Sequence, residues 1–122
     1  KELGSALEEI EKFCSENGAS QKQKYYVRLI VEELCMLIIR NALDNIDGGR
    51  IRITLNKEEN GEFTIRFIDN AVVFNPFSKH AAKVDMDRDF DIDAVSMAII
   101  RREAKEFMYR RSQGFNSLAV RL

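Results

Sequence analysis

Apolar residues in the first part of the sequence recur at the spacing of an α-helix. Leu7, Ile10 and Cys14 lie three or four positions apart, and Ser5 with Glu8 forms a capping-box pattern just before the apolar run. An amphipathic helix is therefore predicted from this capping box to the next glycine.

A second capping-box pattern, Ser20 with Gln23, opens a stretch without glycine or proline that runs to Asp47-Gly48-Gly49. It predicts a long helix over residues 21 to about 45. Positions 29–39 are apolar on nearly every face, so we expect this helix to be central and covered on more than one side.

The apolar period then changes from helical spacing to alternation, which is typical of strands with one face on a core. The alternating positions are Ile51, Ile53, Leu55, Phe63, Ile65 and Phe67. Asn60-Gly61 lies between the two sets and favours the positive φ angles of a tight turn, so an antiparallel hairpin is predicted.

The remaining sequence predicts a long, partly mobile loop, a helix and a strand. Residues 70–93 lack periodicity and form the predicted loop, and Asp93 is the predicted cap of a helix over residues 94–113. A strand is expected over residues 117–122. The predicted core face of the helix consists of Val95, Ala98, Ile99 and Met108.

The order of elements predicts one α/β (α+β) domain over residues 1–122, a two-layer sandwich with helices on one face of a mixed, mostly antiparallel sheet. Hydrophobic residues make up 45% of the chain and charged residues 32%, which excludes disorder as the main state. A net charge of −1 argues against a nucleic-acid partner. The longest apolar run, Leu34 to Ile39, is too short for insertion of this segment into a membrane.

Two cysteines, Cys14 and Cys35, occupy apolar helical positions without the spacing of a metal site. They favour buried, reduced thiols and a cytoplasmic location. The sequence opens on Lys1, so we expect a fragment of a longer polypeptide or a processed form.

Glu32 and Glu33 interrupt the most apolar helix, where an unpaired carboxylate is costly to bury. They are therefore the first candidates for a function. In the alternative interpretation, one of them faces solvent and the other pairs with Arg40.

The layout resembles the anti-sigma-factor serine kinase branch of the histidine-kinase-type (GHKL) ATPases. Three segments carry the resemblance, which covers nearly the whole chain from Ser5 to Leu122: Val31-Glu32-Glu33-Leu34-Cys35, Ile68-Asp69-Asn70-Ala71 and Phe74-Asn75-Pro76. It implies that Glu33 is the general base and that Asp69 accepts from the adenine amino group. Asn41 and Asn70 are further candidate nucleotide-binding residues.

The chain departs from the family pattern in all three nucleotide motifs. Leu37 replaces the asparagine that would bind Mg²⁺, and Ala71 and Val73 replace two glycines. The lid segment lacks glycine and carries five alternating aspartates between positions 85 and 93, which would repel a triphosphate. The departures predict a family fold without ordinary ATP turnover and without a bound cofactor.

The leading hypothesis is a degenerate domain that acts as a regulatory protein-binding module. The resemblance implies a sigma factor, an anti-sigma antagonist or the remainder of a larger polypeptide as its partner. The first alternative is an active, divergent serine/threonine kinase of the anti-sigma type that uses ATP and Mg²⁺. The second is a structural domain that forms a homodimer through its former nucleotide face, with Leu37 and Val73 buried against the partner.

Three further features of the sequence favour an ordinary structural role over a functional site. Alternating aspartates are typical of calcium loops, but a loop beginning at Asp85 has Phe90 where glycine is needed and Ser96 where glutamate is needed. A solvated acidic loop is the better interpretation. The basic residues of the last predicted helix favour a solvated helix end over a nucleic-acid surface, and the single histidine, His80, supports neither a hydrolase triad nor zinc.

Overall fold

A computed structural model of the protein describes residues 2–43, 48–79 and 92–122. Its elements are helix α1 (Glu2–Glu16), helix α2 (Gln21–Ile38) with a π-helical turn (Ile39–Leu43), strands β1 (Ile51–Lys57) and β2 (Phe63–Asp69), the short helix α3 (Pro76–Lys79), helix α4 (Ile92–Glu103), and strands β3 (Glu106–Ser112) and β4 (Phe115–Arg121).

The four strands form one sheet in the order β1-β2-β4-β3, and every pairing is antiparallel. Apolar residues of α1, α2 and α4 share one core with the inward side chains of the sheet. The predicted two-layer α+β sandwich is therefore confirmed, although the described sheet is wholly antiparallel and not mixed.

Helix α2 is the central element, as predicted. The Ser20 Oγ accepts from the Gln23 backbone N–H at 3.0 Å, and the Gln23 side chain accepts from the Ser20 N–H at 2.9 Å, so the capping box forms as the sequence indicated. The buried side chains of this helix are Val27, Ile30, Val31, Leu34, Cys35, Leu37 and Ile38. The helix packs against α1, α4 and β2, which explains why almost its whole circumference is apolar.

The other predicted capping box, Ser5 with Glu8, is wrong. Helix α1 already includes Glu2, so Ser5 lies inside it. Its predicted end is confirmed, because Gly18 has a φ of 74° and lets the Ala19 N–H reach the Cys14 carbonyl at 2.9 Å.

The predicted hairpin forms, but its turn is longer than Asn60-Gly61. Lys57 pairs with Phe63, which leaves a five-residue loop, and only Gly61 of that dipeptide has a positive φ, 89°. The Asn60 side chain accepts from the Glu62 N–H at 3.0 Å. The dipeptide therefore turns the chain within a longer loop instead of forming the whole turn.

The predicted helix over residues 94–113 is wrong beyond Glu103. Strand β3 follows, and Gln113 and Gly114, with φ angles of 51° and 83°, join it to β4 as a two-residue turn in which Ser112 pairs with Phe115. A turn with two positive φ angles matches the twist of paired strands. Alternation in β3 leaves Met108 56% exposed, whereas helical spacing predicted it in the core.

The predicted core face of the same helix is also wrong. Ser96, Met97 and Ile100 are buried in α4, whereas Ala98 is exposed. Asp93 lies within α4 and so does not precede the helix as a cap. His80 and the aspartates from Asp85 to Asp91 fall outside the described residues, as does the calcium-loop alternative that rests on them.

Candidate functional site

Glu33, the predicted general base, lies on α2 and faces α4. The Ser96 hydroxyl donates a short hydrogen bond to Glu33 Oε1, and Ser96 itself is only 3% exposed. The alternative interpretation predicted Arg40 as the partner of one of the two glutamates. The partner of the Glu33 carboxylate is instead Ser96. The contact ties the middle of α2 to the first turns of α4 and occupies one of the two carboxylate oxygens.

Leu37 lies one turn after Glu33 and is fully buried, at 0% exposed. It belongs to the same core as Phe67 of the sheet and Met97 of α4. Its hydrocarbon side chain has no oxygen to bind a hard cation, so this position contributes packing and no Mg²⁺ ligand.

Asn41, a predicted nucleotide-binding residue, lies in the π-helical turn at the end of α2. Its Nδ2 donates to the Leu37 carbonyl at 2.9 Å. This bond satisfies a carbonyl near the helix end, where the ordinary α-helical pattern is interrupted. At least part of the amide is therefore engaged in local structure.

Asp69, the predicted adenine acceptor, ends β2 and is 2% exposed. Its Oδ1 accepts from the Ala71 N–H at 3.0 Å and from Asn116 Nδ2 at 2.9 Å. Among the described residues, nothing donates to its Oδ2. The fold therefore uses one oxygen, and the other has no donor within the described part of the chain.

Asn116, on β4, is 1% exposed and connects four segments through its amide. Besides Asp69, its Nδ2 donates to the Val72 carbonyl at 2.8 Å, while its Oδ1 accepts from the Tyr109 hydroxyl at 2.5 Å and from the Phe74 N–H at 3.4 Å. Both N–H groups and both lone pairs of the amide are thus used. We call these residues, Asp69, Val72, Phe74, Tyr109 and Asn116, the Asn116 cluster.

The segment after Asp69 forms the rim of the site. Ala71 is buried, and its carbonyl accepts from Arg111 at 2.8 Å. Val73 is 66% exposed. Neither Ala71 nor Val73 has a positive φ, so the backbone conformation that glycines would allow at these two positions is not adopted.

Asn70, the remaining predicted nucleotide-binding residue, is exposed and turns away from the Asn116 cluster. Its Oδ1 accepts from the Arg50 N–H at 2.8 Å, and its Nδ2 donates to the Gly48 carbonyl at 3.1 Å. Both ends of the amide therefore hold the chain that enters β1.

The side chains that sequence reasoning missed are Ser96, Tyr109 and Asn116. Two of them break a pattern, because Ser96 is a polar residue on the buried face of α4 and Asn116 takes an inward position of β4, whereas Tyr109 is an ordinary half-buried aromatic of β3. Such a break was visible only once the correct face or strand was known, and residues 104–113 had been assigned to a helix.

The described residues contain no other grouping suited to metal or nucleophilic chemistry. No cluster of three histidine, cysteine or acidic side chains forms among residues 2–43, 48–79 and 92–122. Both cysteines are free and buried, as predicted, and burial raises the pKa of Cys14 and raises that of Cys35 to about 12. They therefore remain protonated thiols with little reactivity near neutral pH.

Arg101, one of the basic residues of the last predicted helix, has a structural role. Its guanidinium lies 5.0 Å from the centre of the Phe107 ring and donates to the Phe77 carbonyl, and Phe77 stacks on Phe107 at 4.4 Å. The arginine thereby joins α3, α4 and β3 behind the candidate site.

Comparison with known proteins was made at the level of family and of fold. The family model for the histidine kinase-like ATPase domain matches residues 1–122. A search of curated proteins gave no match. Among solved structures, the fold is similar to the histidine kinase domain of the blue-light activated histidine kinase EL346 from Erythrobacter litoralis, with a TM-score of 0.60 and 10% identity. The alignment covers 98% of this chain and 60% of that domain, so the chain spans about three fifths of its length.

None of the described helices is long and apolar enough to span a bilayer.

Proposed function

Because this chain belongs to the histidine kinase-like ATPase family, we propose that it is a regulatory, protein-binding member that binds Mg-ATP weakly or not at all. The observation that carries the proposal is the complete burial of Leu37 at the position where the family pattern has a magnesium ligand. A ligand position that has become part of the core cannot hold a cation without a loss of packing.

The contacts of Glu33 also support loss of turnover. A general base must reach the proton that it abstracts, and one oxygen of this carboxylate is held by Ser96 of α4. Without a magnesium ligand one turn away, no metal ion would hold a triphosphate where a hydroxyl deprotonated by Glu33 could attack it.

The adenine end of the site is less altered than the phosphate end. Asp69 retains an oxygen without a donor among the described residues. This observation favours a second candidate, the active, divergent serine/threonine kinase of the anti-sigma type, in which Asp69 would hold adenine and Glu33 would be the base.

The dimer alternative is weakened by the burial of Leu37. That side chain was expected to be covered by a partner, yet the chain buries it fully by itself. Val72 and Val73, 57% and 66% exposed, are the apolar groups that remain at the rim for such a contact.

For the protein partner, the proposal is a sigma factor, an anti-sigma antagonist or the remainder of a larger polypeptide. Family analogy supports this choice, because a member that keeps the fold without turnover retains binding surfaces. The location proposed for such a partner and for the chain is the cytoplasm.

The test is thermal unfolding with ATP or ADP at about 1 mM, with and without Mg²⁺, since a ligand at 100 times its Kd would stabilise the fold by about 2.7 kcal/mol. We expect no magnesium-dependent shift of the unfolding temperature. In a separate assay with ATP, we expect no formation of ADP. The triple variant Leu37→Asn, Ala71→Gly, Val73→Gly is expected to gain a shift with Mg-ATP.

The matched control is Glu33→Gln, which removes the charge of the base and keeps its shape. In the native protein it should leave all nucleotide readouts unchanged. Release of ADP from ATP by the native chain that Glu33→Gln abolishes would overturn the proposal, because it would show ATP turnover; transfer of the phosphate to a serine or threonine would then distinguish the kinase from a hydrolase.

A further inference from the structure

The face of the sheet turned away from the helices combines exposed apolar groups with arginines. We call it the outer sheet face and define it by one set of outward side chains: Arg52, Arg66, Ile68, Met108, Arg110 and Phe115. In an antiparallel sheet that packs on one side only, the other side is ordinarily polar. Here it is not uniformly so.

Its apolar part is contiguous across three strands. Met108 is 56% exposed and Phe115 is 49% exposed, and both line a shallow cavity of about 350 Å³ together with Ile68. A second cavity of about 560 Å³ adjoins it and shares Met108 and Arg66. Exposed apolar groups that line a concave surface are typical of a binding site.

The strand register places arginines on both sides of these groups. Arg52 pairs with Ile68, Ile68 with Ser117, and Ser117 with Arg110, so one row of the sheet carries an arginine at each end. Three strand spacings separate those two positions by about 14 Å. Arg66 lies in the next row, opposite Ala119, which pairs with Met108.

These three arginines, Arg52, Arg66 and Arg110, have no hydrogen-bond or ion-pair partner among the residues that the structure describes. Arg121, by contrast, pairs with Glu106 at 2.6 Å and with Glu62 at 3.7 Å at the opposite end of the sheet. The smaller cavity is therefore lined by Arg66 and Arg110 and by no described carboxylate, whereas Glu58, Glu59 and Glu106 line the larger one.

We propose that the outer sheet face binds an acidic amphipathic helix of a partner protein. A helix is about 10–12 Å across, which is close to the distance of about 14 Å between the positions of Arg52 and Arg110. Its apolar stripe would lie on Ile68 and Met108, and carboxylates beside that stripe would face the three guanidinium groups. Arginine pairs well with carboxylates because its planar donors can form two parallel hydrogen bonds.

Protein fits this surface better than nucleic acid. A phosphate backbone would satisfy the arginines but would leave Met108 and Ile68 uncovered. The inference rests on the proposed function in one respect, since it names the surface and the partner class of a protein-binding module.

The experiment uses the full chain and three fluorescein-labelled peptides of about 18 residues, each long enough for five helical turns. All three carry leucine at one helical face, and the flanking positions hold glutamate, glutamine or lysine. Fluorescence polarisation at low salt measures binding. We expect the glutamate peptide to bind at least about tenfold more tightly than the other two.

The decisive variant carries both Arg66→Glu and Arg110→Glu. It should lower the affinity for the glutamate peptide by about tenfold or more, and it should bind the lysine peptide, which the native chain does not. The matched control, Lys12→Glu with Lys22→Glu, makes the same change in net charge at exposed positions of the helix layer. It should change affinity by less than about twofold. Urea unfolding of both variants verifies that each remains folded.

Three outcomes would overturn the inference: no binding of the glutamate peptide up to about 1 mM, equal weakening by the two double variants, or tighter binding of single-stranded DNA of the same charge. A dimer in light scattering that Met108→Ser abolishes would assign the surface to a second copy instead. These binding measurements contain no nucleotide and are therefore independent of the nucleotide assays. ADP release in the nucleotide assays would overturn the proposed function alone, and a failure of peptide binding would overturn this inference alone.

Discussion

The candidate site and the outer sheet face use their polar side chains in opposite ways. In the Asn116 cluster, one amide satisfies four groups from three other segments, and both of its ends are fully used. On the outer sheet face, three arginines have no partner among the described residues, and they lie near the exposed side chains of Met108 and Phe115. The first arrangement stabilises this chain, whereas the second leaves charge and apolar area for another molecule.

The difference shows where a function is to be sought in this family member. Ligand chemistry needs groups that are aimed at the ligand and not already satisfied by the fold. At the family's usual site, most of the described polar groups hold the protein together. If this contrast holds, substitutions in the Asn116 cluster should lower the free energy of unfolding most, and substitutions on the outer sheet face should lower it least.

Asn116→Ala should cause the largest loss of stability. It leaves the Tyr109 hydroxyl, the Val72 carbonyl and the Phe74 N–H without their buried partner, and each such group costs about 1–3 kcal/mol. Because some of these groups will relax, we expect a decrease of about 3 kcal/mol in the free energy of unfolding, measured in urea. Ser117→Ala, one residue along the same strand, should change it by less than about 0.5 kcal/mol.

Asn116→Asp tests the same cluster by charge. It places a second carboxyl beside Asp69, and the like charge raises the folded-state pKa of the pair above the unfolded value. The penalty is absent below the unfolded value of about 3.9 and grows as pH rises. The stability of this variant should therefore approach that of Asn116→Ala in acid and fall below it near neutral pH; parallel pH profiles would show that the two side chains do not interact.

Ser96→Ala should have a smaller effect, because Glu33 is only half-buried and water can replace the lost hydroxyl. We expect the free energy of unfolding to decrease by about 1 kcal/mol. A double-mutant cycle with Glu33→Gln measures the coupling directly. A coupling energy near zero would mean that the α2–α4 contact does not contribute to stability.

Lys105→Met probes an exposed ion pair at the far end of the sheet, and its effect should be smaller than that of Ser96→Ala. The hydrogen bond from Lys105 lowers the pKa of Glu62 below its ordinary value of 4.5. Since the folded pKa is depressed, this contribution is present above that value and is lost as pH falls through the folded pKa. The difference from the native protein in urea midpoint should vanish in acid and at high salt; a difference that persists in both would reflect lost packing.

Met108→Ser on the outer sheet face should have the smallest effect on stability, within about 0.5 kcal/mol of the native protein, because the side chain is already exposed. A loss similar to that of Asn116→Ala would remove the contrast between the two regions.

Local patterning predicted the elements whose neighbours in space are also neighbours in sequence. The Ser20 cap, the apolar circumference of α2 and the β1–β2 hairpin all follow from residues a few positions apart, and the structure contains all three. Glu33 and Asp69 were also placed on the correct helix and strand end, because the family resemblance is carried by short segments.

Strand β3 could not be assigned in the same way. Residues 104–113 contain alanine, lysine, glutamate, methionine and arginine, which favour a helix in isolation. The strand exists because it pairs with β4 and because Phe107 and Tyr109 reach the interior from that position. Strand preference depends on such partners, which lie outside any short window of sequence.

Sequence alone thus determined the fold class and the central helix, since each depends on residue type and local period. Only the tertiary structure decided that Leu37 is buried in the core, that Asn116 donates to Asp69, and that Arg52 and Arg110 lie at the two ends of the row that contains Ile68. The physical reason is that hydrogen bonds, burial and charge act through space between residues that are distant in sequence; Arg52 and Arg110, for example, are 58 positions apart in the chain.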